Sequence, residues 1–161
     1  MYEVVISRDK KNLGHPQSAR LIREAVGHAL MCENIRENCV VSVLLTDDEG
    51  IRKVNKSFRN TDSVTDVLSF PMNELTPGDF CLDRCEVDPE TGSILLGDIL
   101  INLKRCEEQG EEYGYGFSHE LRYLTVHSVL HLLGYDHMDE GEMKKQMRSR
   151  EKEIMGEKED D

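Results

Sequence analysis

Residues 127–137 read HSVLHLLGYDH and carry three of the chain's six histidines at the spacing H-x3-H-x5-H. Four residues make about one helical turn, so His127 and His131 are predicted to project from the same face of a helix. Gly134 falls where a helix C-terminus favours a left-handed residue, which would let the chain turn back and present His137. Three converging imidazoles with an open fourth position are typical of catalytic zinc. The stretch therefore predicts a metallohydrolase.

The alternative is that these histidines are ordinary core or surface residues. The helix predicted over 117–133 is apolar nearly all round, so it should be largely buried. Burying imidazoles there without partners would cost free energy, and a bound metal is the usual compensation. We therefore expect His127, His131 and His137 to hold one zinc ion per chain, although imidazole also suits other divalent ions.

Composition limits the class of protein. The chain has 161 residues, of which 38% are hydrophobic, and this predicts one domain with its own core. We expect that domain to span residues 1–155 and to be followed by an acidic tail, 156–161. There is no apolar run long enough for a membrane span and no signal peptide, which favours the cytoplasm and no membrane contact. The five cysteines are an odd set, as expected for idle thiols in a reducing compartment.

The charge distribution is uneven. A formal net charge of −12 argues against a protein that coats nucleic acid through bulk electrostatic attraction. Basic residues cluster at Arg52, Lys53, Lys56 and Arg59. Such a cluster is by default the solvated face of a helix, and the functional alternative is a basic groove on an acidic body.

The periodicity of apolar residues predicts alternating strands and helices before a helical C-terminal half. Thr46 followed by Glu49 fits a capping box, and Gly97 fits a β-bulge. The expected fold is α+β, a single domain with a mixed sheet of about four strands, packed with about five helices. The predicted strands are 2–7, 39–45, 66–71 and 93–101; the predicted helices begin near Ser18 and Thr46 and then cover about 102–110, 117–133 and 139–155, with a loop over 73–92.

Zinc peptidases are the rival class, because metzincins share the spacing H-x3-H-x2-G-x2-H. Those enzymes place a glutamate directly after the first histidine as the general base. Here that residue is Ser128, which cannot accept a proton at neutral pH. Phosphodiester cleavage suits the residues better, because a metal and an arginine can stabilise the charge of a phosphoryl transition state.

Three blocks of sequence carry a family resemblance: HSVLHLLGYDH with Arg59, the segment TDVLSFP at 65–71, and GDILI at 97–101. Together they strongly resemble the bacterial YbeY family of metal-dependent endoribonucleases. The resemblance implies a zincin-like metal site and a role in 16S ribosomal RNA 3′-end maturation and ribosome quality control. The partners it implies are single-stranded ribosomal RNA and the small ribosomal subunit. His127, His131 and His137 would be the zinc ligands, and Arg59 the arginine at the cleft. Val64 stands where the family commonly has proline.

The supporting residues remain open from sequence alone. The guanidinium of Arg59 suits bidentate contact with phosphate, but an exposed arginine also stabilises a helix C-terminus. Asp66, Asp98 and Asp136 are candidates for orienting a histidine Nδ1–H, and each could equally cap a turn. A non-enzymatic alternative is a ribosome-assembly factor in which the metal holds the fold and RNA is merely bound.

Overall fold

The computed structural model describes residues 2–136 and 141–157, and it confirms an α+β fold with a four-stranded mixed sheet and five α-helices. None of these described helices has both the length and the apolar character that a membrane span needs. The strands are β1 (Tyr2–Arg8), β2 (Cys39–Thr46), β3 (Val67–Pro71) and β4 (Ile94–Asn102); the helices are α1 (Ser18–Cys32), α2 (Asp48–Arg59), α3 (Leu103–Tyr113), α4 (Phe117–Leu132) and α5 (Glu142–Met155), and a short 3₁₀ turn, Leu82–Arg84, lies in the loop between β3 and β4.

The sheet has the strand order β1-β2-β4-β3. β1 pairs with β2 and β2 with β4 in parallel, whereas β3 runs antiparallel to β4 and is an outer strand with one open edge. The expected bulge is present, because Val40 pairs with Leu95 but Val41 pairs with Gly97. Gly97 has φ +143°, and a Cβ atom there would lie 2.4 Å from the Phe70 carbonyl oxygen. A glycine at this position therefore allows β3 to approach β4 closely.

The two faces of the sheet are covered unequally. α1, α3, α4 and α5 all contribute to one large buried cluster on the first face, which we call the α4 face. Of the described helices, α2 packs on the other face, which we call the α2 face. The buried residues of that smaller cluster are Ile51, Leu68 and Leu100. The sheet thus has a deep core on one side and a thin one on the other.

The start of α2 differs from the predicted capping box. The N-cap is Asp47, whose Oδ1 accepts a hydrogen bond from the Gly50 amide at 3.1 Å. Thr46 is still paired with Asn102 as the last residue of β2, and its hydroxyl donates to Asp9. The prediction was wrong by one residue because the strand continues through Thr46 before the helix begins.

All five cysteines are free thiols. Cys39 and Cys106 are buried, and burial raises the pKa of the Cys39 thiol to about 12. Cys85 donates through its sulfur to the carbonyl oxygen of Cys81, so these two cysteines interact within their own loop.

Candidate active site

Helix α4 is mostly buried, and two of its histidines lie at its surface. Its neighbours Ser128, Val129 and Leu130 are fully buried, whereas His127 and His131 are half-buried. The Nε2 atoms of the two rings lie 3.2 Å apart, with the ring planes at 80°. A tetrahedral zinc ion with Zn–N distances of about 2.0–2.1 Å sets two nitrogen ligands about 3.3 Å apart. The pair therefore has the geometry of two ligands of one ion.

Glu151, on α5, fixes the orientation of the first histidine. Its Oε1 lies 2.9 Å from Nδ1 of His127, and the carboxylate is buried. Burial acts to raise the pKa of the Glu151 carboxyl, but the hydrogen bond and charge of His127 outweigh it and hold that pKa below its usual value. A carboxylate at Nδ1 keeps the ring proton there and leaves the Nε2 lone pair directed at the other ring.

Glu151 is not among the residues predicted from the sequence, although a signal for it exists. Met147, Glu151, Ile154 and Met155 share the buried face of α5. An acidic residue within such an apolar stripe is unusual, because an ionised carboxylate is buried only where it has a partner. This stripe points to a functional acid on α5. It does not show which histidine that acid faces.

The chain leaves α4 through Gly134, as predicted from the sequence. Gly134 has φ +102°, a left-handed value that favours glycine. A Cβ atom there would lie 2.1 Å from the Leu75 carbonyl oxygen, so the backbone also passes too close to the neighbouring loop for a side chain. The turn brings Tyr135 and Asp136 alongside the histidines, whereas the next residue, His137, lies outside the described part of the chain.

Arg59 approaches the histidines from the opposite face of the sheet. It is the last residue of α2, and its Nη2 donates to the Ser69 carbonyl oxygen at 2.8 Å. Its guanidinium carbon lies 5.3 Å from the centroid of the Phe70 ring, a cation–π distance. These contacts hold the charged group at the open edge of β3.

One cleft, with a volume of about 810 Å³, brings these groups together. The histidines of α4 lie on one side of β3 and Arg59 on the other, so the open edge of the strand runs along the cleft. Arg59 is 68 positions before His127 (127 − 59), and the fold joins them through the antiparallel pairing of β3 with β4. The lining consists of Asn55, Arg59, Thr61, residues 63–69, Pro71, residues 73–75, His127, His131 and residues 134–136.

The three predicted aspartates have different positions. Asp66 lines the cleft, and its carboxylate accepts from the Val67 amide at 2.7 Å and from Gln109 at 3.3 Å. Asp136 also lines the cleft. Asp98 is exposed on β4 opposite Phe70 and is not part of the lining. The proposed role of each in orienting a histidine stays a prediction.

His137, the expected third ligand, also stays a prediction. Within residues 2–136 and 141–157, no three His, Cys, Asp or Glu side chains form a metal-binding group. His137 falls in the gap between those ranges. The described residues thus supply two convergent nitrogens and the carboxylate behind one of them, and they fit a metal ion that takes further ligands from elsewhere.

Comparisons with known proteins point to one family. The family model described as endoribonuclease YbeY matches residues 4–159. The chain is 49% identical over 141 residues to "Endoribonuclease YbeY" of Clostridium acetobutylicum, which covers 83% of this chain and 84% of that relative. It is 44% identical over 135 residues to the protein of the same name from Bacillus cereus, with 84% and 83% covered.

A solved structure supports the fold. The solution structure of TM1509 from Thermotoga maritima is similar to this chain with a TM-score of 0.57 and 24% sequence identity. The similarity covers 97% of this chain and 90% of the other. It shows that the two chains share their architecture.

Proposed function

This chain belongs to the YbeY family of endoribonucleases, and from that premise we propose that it is a zinc-dependent enzyme that cleaves single-stranded ribosomal RNA. A single observation carries the proposal. In one cleft, the Nε2 atoms of His127 and His131 lie 3.2 Å apart on one side of β3, and Arg59 lies on the other side. A cation site beside a guanidinium suits a phosphodiester, whose charge grows as the bond breaks.

His127 and His131 are the proposed zinc ligands, with His137 as the third. The Nε2–Nε2 separation and the carboxylate of Glu151 behind His127 support this assignment. When bound, a zinc ion would neutralise phosphate charge and supply hydroxide from water near neutral pH. The protein's own part is to fix the two rings, which α4 does through the buried residues on either side of them.

Arg59 is the proposed phosphate-binding residue. The guanidinium carries five N–H donors in a planar fork, and Ser69 accepts from Nη2. This anchor orients the fork along the cleft, where it can contact two oxygens of one phosphate. The guanidinium is held in place before substrate binds, so its charge needs little reorganisation in the transition state.

The position of Ser128 disfavours a peptidase. Its hydroxyl is fully buried, has no hydrogen-bond partner among the described residues, and does not line the cleft. The side chain that follows the first histidine in zinc peptidases is a glutamate that acts on the substrate water. This chain has neither the residue type nor the exposure for that role.

We further propose that the enzyme acts in the cytoplasm on the 16S 3′ end, within or beside the small ribosomal subunit. The name endoribonuclease shared by the relatives supports RNA as the substrate. The net charge of −12 favours a preformed ribosomal particle as the source of affinity, because bulk attraction to free RNA is weak for an acidic protein.

The test combines elemental analysis with RNA cleavage. We expect about one zinc per purified chain and cleavage of a single-stranded 16S 3′-end transcript. His131→Ala should lose both the metal and the activity, while His119→Ala, a change on the same helix outside the cleft, should keep both. Cleavage of peptides instead of RNA, or full activity of His131→Ala, would overturn the proposal. RNA binding without cleavage by the metal-loaded protein would favour the assembly-factor alternative.

A further inference from the structure

Phe58 is an aromatic side chain whose position the fold does not explain. It precedes Arg59 in the last turn of α2, and 75% of it is exposed. Its ring contacts that of Phe70, whose centroid is 5.9 Å away at an interplanar angle of 63°. A single exposed apolar residue is ordinary, but this ring belongs to a larger surface.

That surface continues into the active-site cleft. The ring of Phe70 contacts Phe58 through its edge and also lies 5.3 Å from the guanidinium carbon of Arg59. The guanidinium is anchored to Ser69 at the open edge of β3 and lines the cleft. Two aromatic rings and the cationic group are therefore contiguous. We call Phe58 and Phe70 the aromatic platform.

The chemistry of the platform suits one occupant. Proteins that bind single-stranded RNA stack unpaired bases on aromatic side chains, and this is tolerant of sequence because every base has a π-face. A base is covalently linked to its phosphate through one sugar, so an aromatic ring adjacent to an arginine fits a single nucleotide. A base within a duplex is already stacked and paired, and cannot reach the platform without being extruded.

We propose that Phe58, supported by Phe70, stacks with an unpaired base of the RNA strand whose phosphate contacts Arg59. This inference rests on the proposed function and deepens it. The platform supplies affinity that the acidic body cannot supply through charge, and it selects single-stranded over double-stranded RNA. Phe58 is a binding residue, and it takes no part in the chemical step.

The chain contains no tryptophan, which gives a direct test. Phe58→Trp places a single indole on the platform. Rapid mixing of this variant with a short single-stranded RNA, read before cleavage, should give saturable quenching of the indole fluorescence. The matched control is Tyr113→Trp on α3, where the native ring is 56% exposed and does not line the cleft. That variant should show no saturable quenching, and neither variant should be quenched by a duplex of the same length.

Steady-state kinetics provide the second measurement. A base–aromatic stack contributes about 1–3 kcal/mol, so Phe58→Ala should raise KM for single-stranded RNA roughly 5- to 150-fold. kcat, zinc content and the melting temperature should stay close to those of the parent. Phe58→Tyr should restore KM, and Tyr113→Ala should leave it unchanged.

The outcomes separate the two proposals. If the parent protein cleaves single-stranded RNA but Phe58→Ala keeps its KM and Phe58→Trp is not quenched, the stacking inference is wrong and the nuclease assignment stands. Equal quenching by duplex and single strand would also reject stacking with an unpaired base. If the metal-loaded parent cleaves no RNA while single-stranded RNA still quenches the indole fluorescence of Phe58→Trp, the proposed catalytic function fails and the stacking inference stands.

Discussion

The two faces of the sheet contribute different parts of the cleft. The α4 face carries the histidines and Glu151 within a core to which four helices contribute. The α2 face carries Phe58 and Arg59 on one helix over a small cluster. Metal coordination tolerates only small displacements of its ligands, so a densely packed face suits it. The difference indicates that the deep core fixes the proposed metal site and the thin one serves the proposed substrate contacts.

The largest expected effect concerns the α2 face. Arg59→Ala should lower kcat/KM for single-stranded RNA by about 10²- to 10³-fold, because a preorganised charge that stabilises the transition state is lost. Zinc content should not change, since Arg59 contacts Ser69 and Phe70 rather than the histidines. Cleavage assays with elemental analysis measure both quantities.

Arg59→Lys is the matched control for charge. It keeps the cation but loses the planar fork, so we expect it to recover only part of the activity. Loss of zinc from Arg59→Ala would contradict the separation of roles between the two faces. Full activity of Arg59→Ala would remove the arginine from the proposed mechanism.

Glu151→Gln tests the α4 face. Replacing the carboxylate that holds Nδ1 of His127 should weaken zinc affinity by about 10- to 100-fold, because the ligand loses its orienting partner. Competition with a chelator of known affinity measures this. The matched control is Glu153→Gln, two residues further along α5. Its carboxylate is exposed and pairs with Arg150, so this change should leave zinc affinity unchanged. Equal affinities for the parent and Glu151→Gln would show that the hydrogen bond does not support the metal.

Core truncations on the two faces should differ in cost. Leu130→Ala removes a fully buried side chain of α4 and should lower the free energy of unfolding by about 2–5 kcal/mol. Val54→Ala removes a partly buried side chain of α2 and should cost about 1 kcal/mol. Denaturant unfolding of both variants measures the contrast. Similar losses would mean that α2 is fixed as firmly as α4.

The smallest effect concerns a buried carboxyl between α3 and α4. Burial raises the pKa of Glu120, and Asp66 adds to the shift while a hydrogen bond from Gln109 opposes it. A carboxyl that binds its proton more tightly when folded stabilises the protein at low pH and loses that contribution as the pH rises through its folded pKa. Glu120→Gln should therefore gain stability relative to the parent as the pH rises from about 4.3 towards neutral. Unfolding free energies of both proteins across that range would reveal it, and a constant difference would argue against the shift.

Local patterns predicted much of the molecule. The four strands and five helices follow from apolar periodicity, and the one-turn spacing of His127 and His131 follows from helix geometry. The left-handed Gly134 and the bulge at Gly97 were also predicted, because both depend on the backbone freedom of glycine. These features depend on residues close together in the sequence.

Features that join distant segments were harder to predict. The sequence does not reveal that β3 is an outer strand, and so it does not reveal that its open edge separates Arg59 from the histidines. Arg59 itself was identified mainly through the family resemblance. Glu151 was missed because its role depends on how α5 packs against α4, 24 residues from His127. The Thr46 cap was wrong because strand pairing across the sheet decided where α2 begins.

The contact between Gly134 and the carbonyl of Leu75 has a mechanical consequence. The segment that leaves α4 packs against the loop at Leu75, with no room for even a methyl group between them. Both residues line the cleft, so the close approach of its walls at this end depends on glycine at position 134. Gly134→Ala should push the backbone that follows α4 away from Leu75, while His127 and His131 keep their places on the helix.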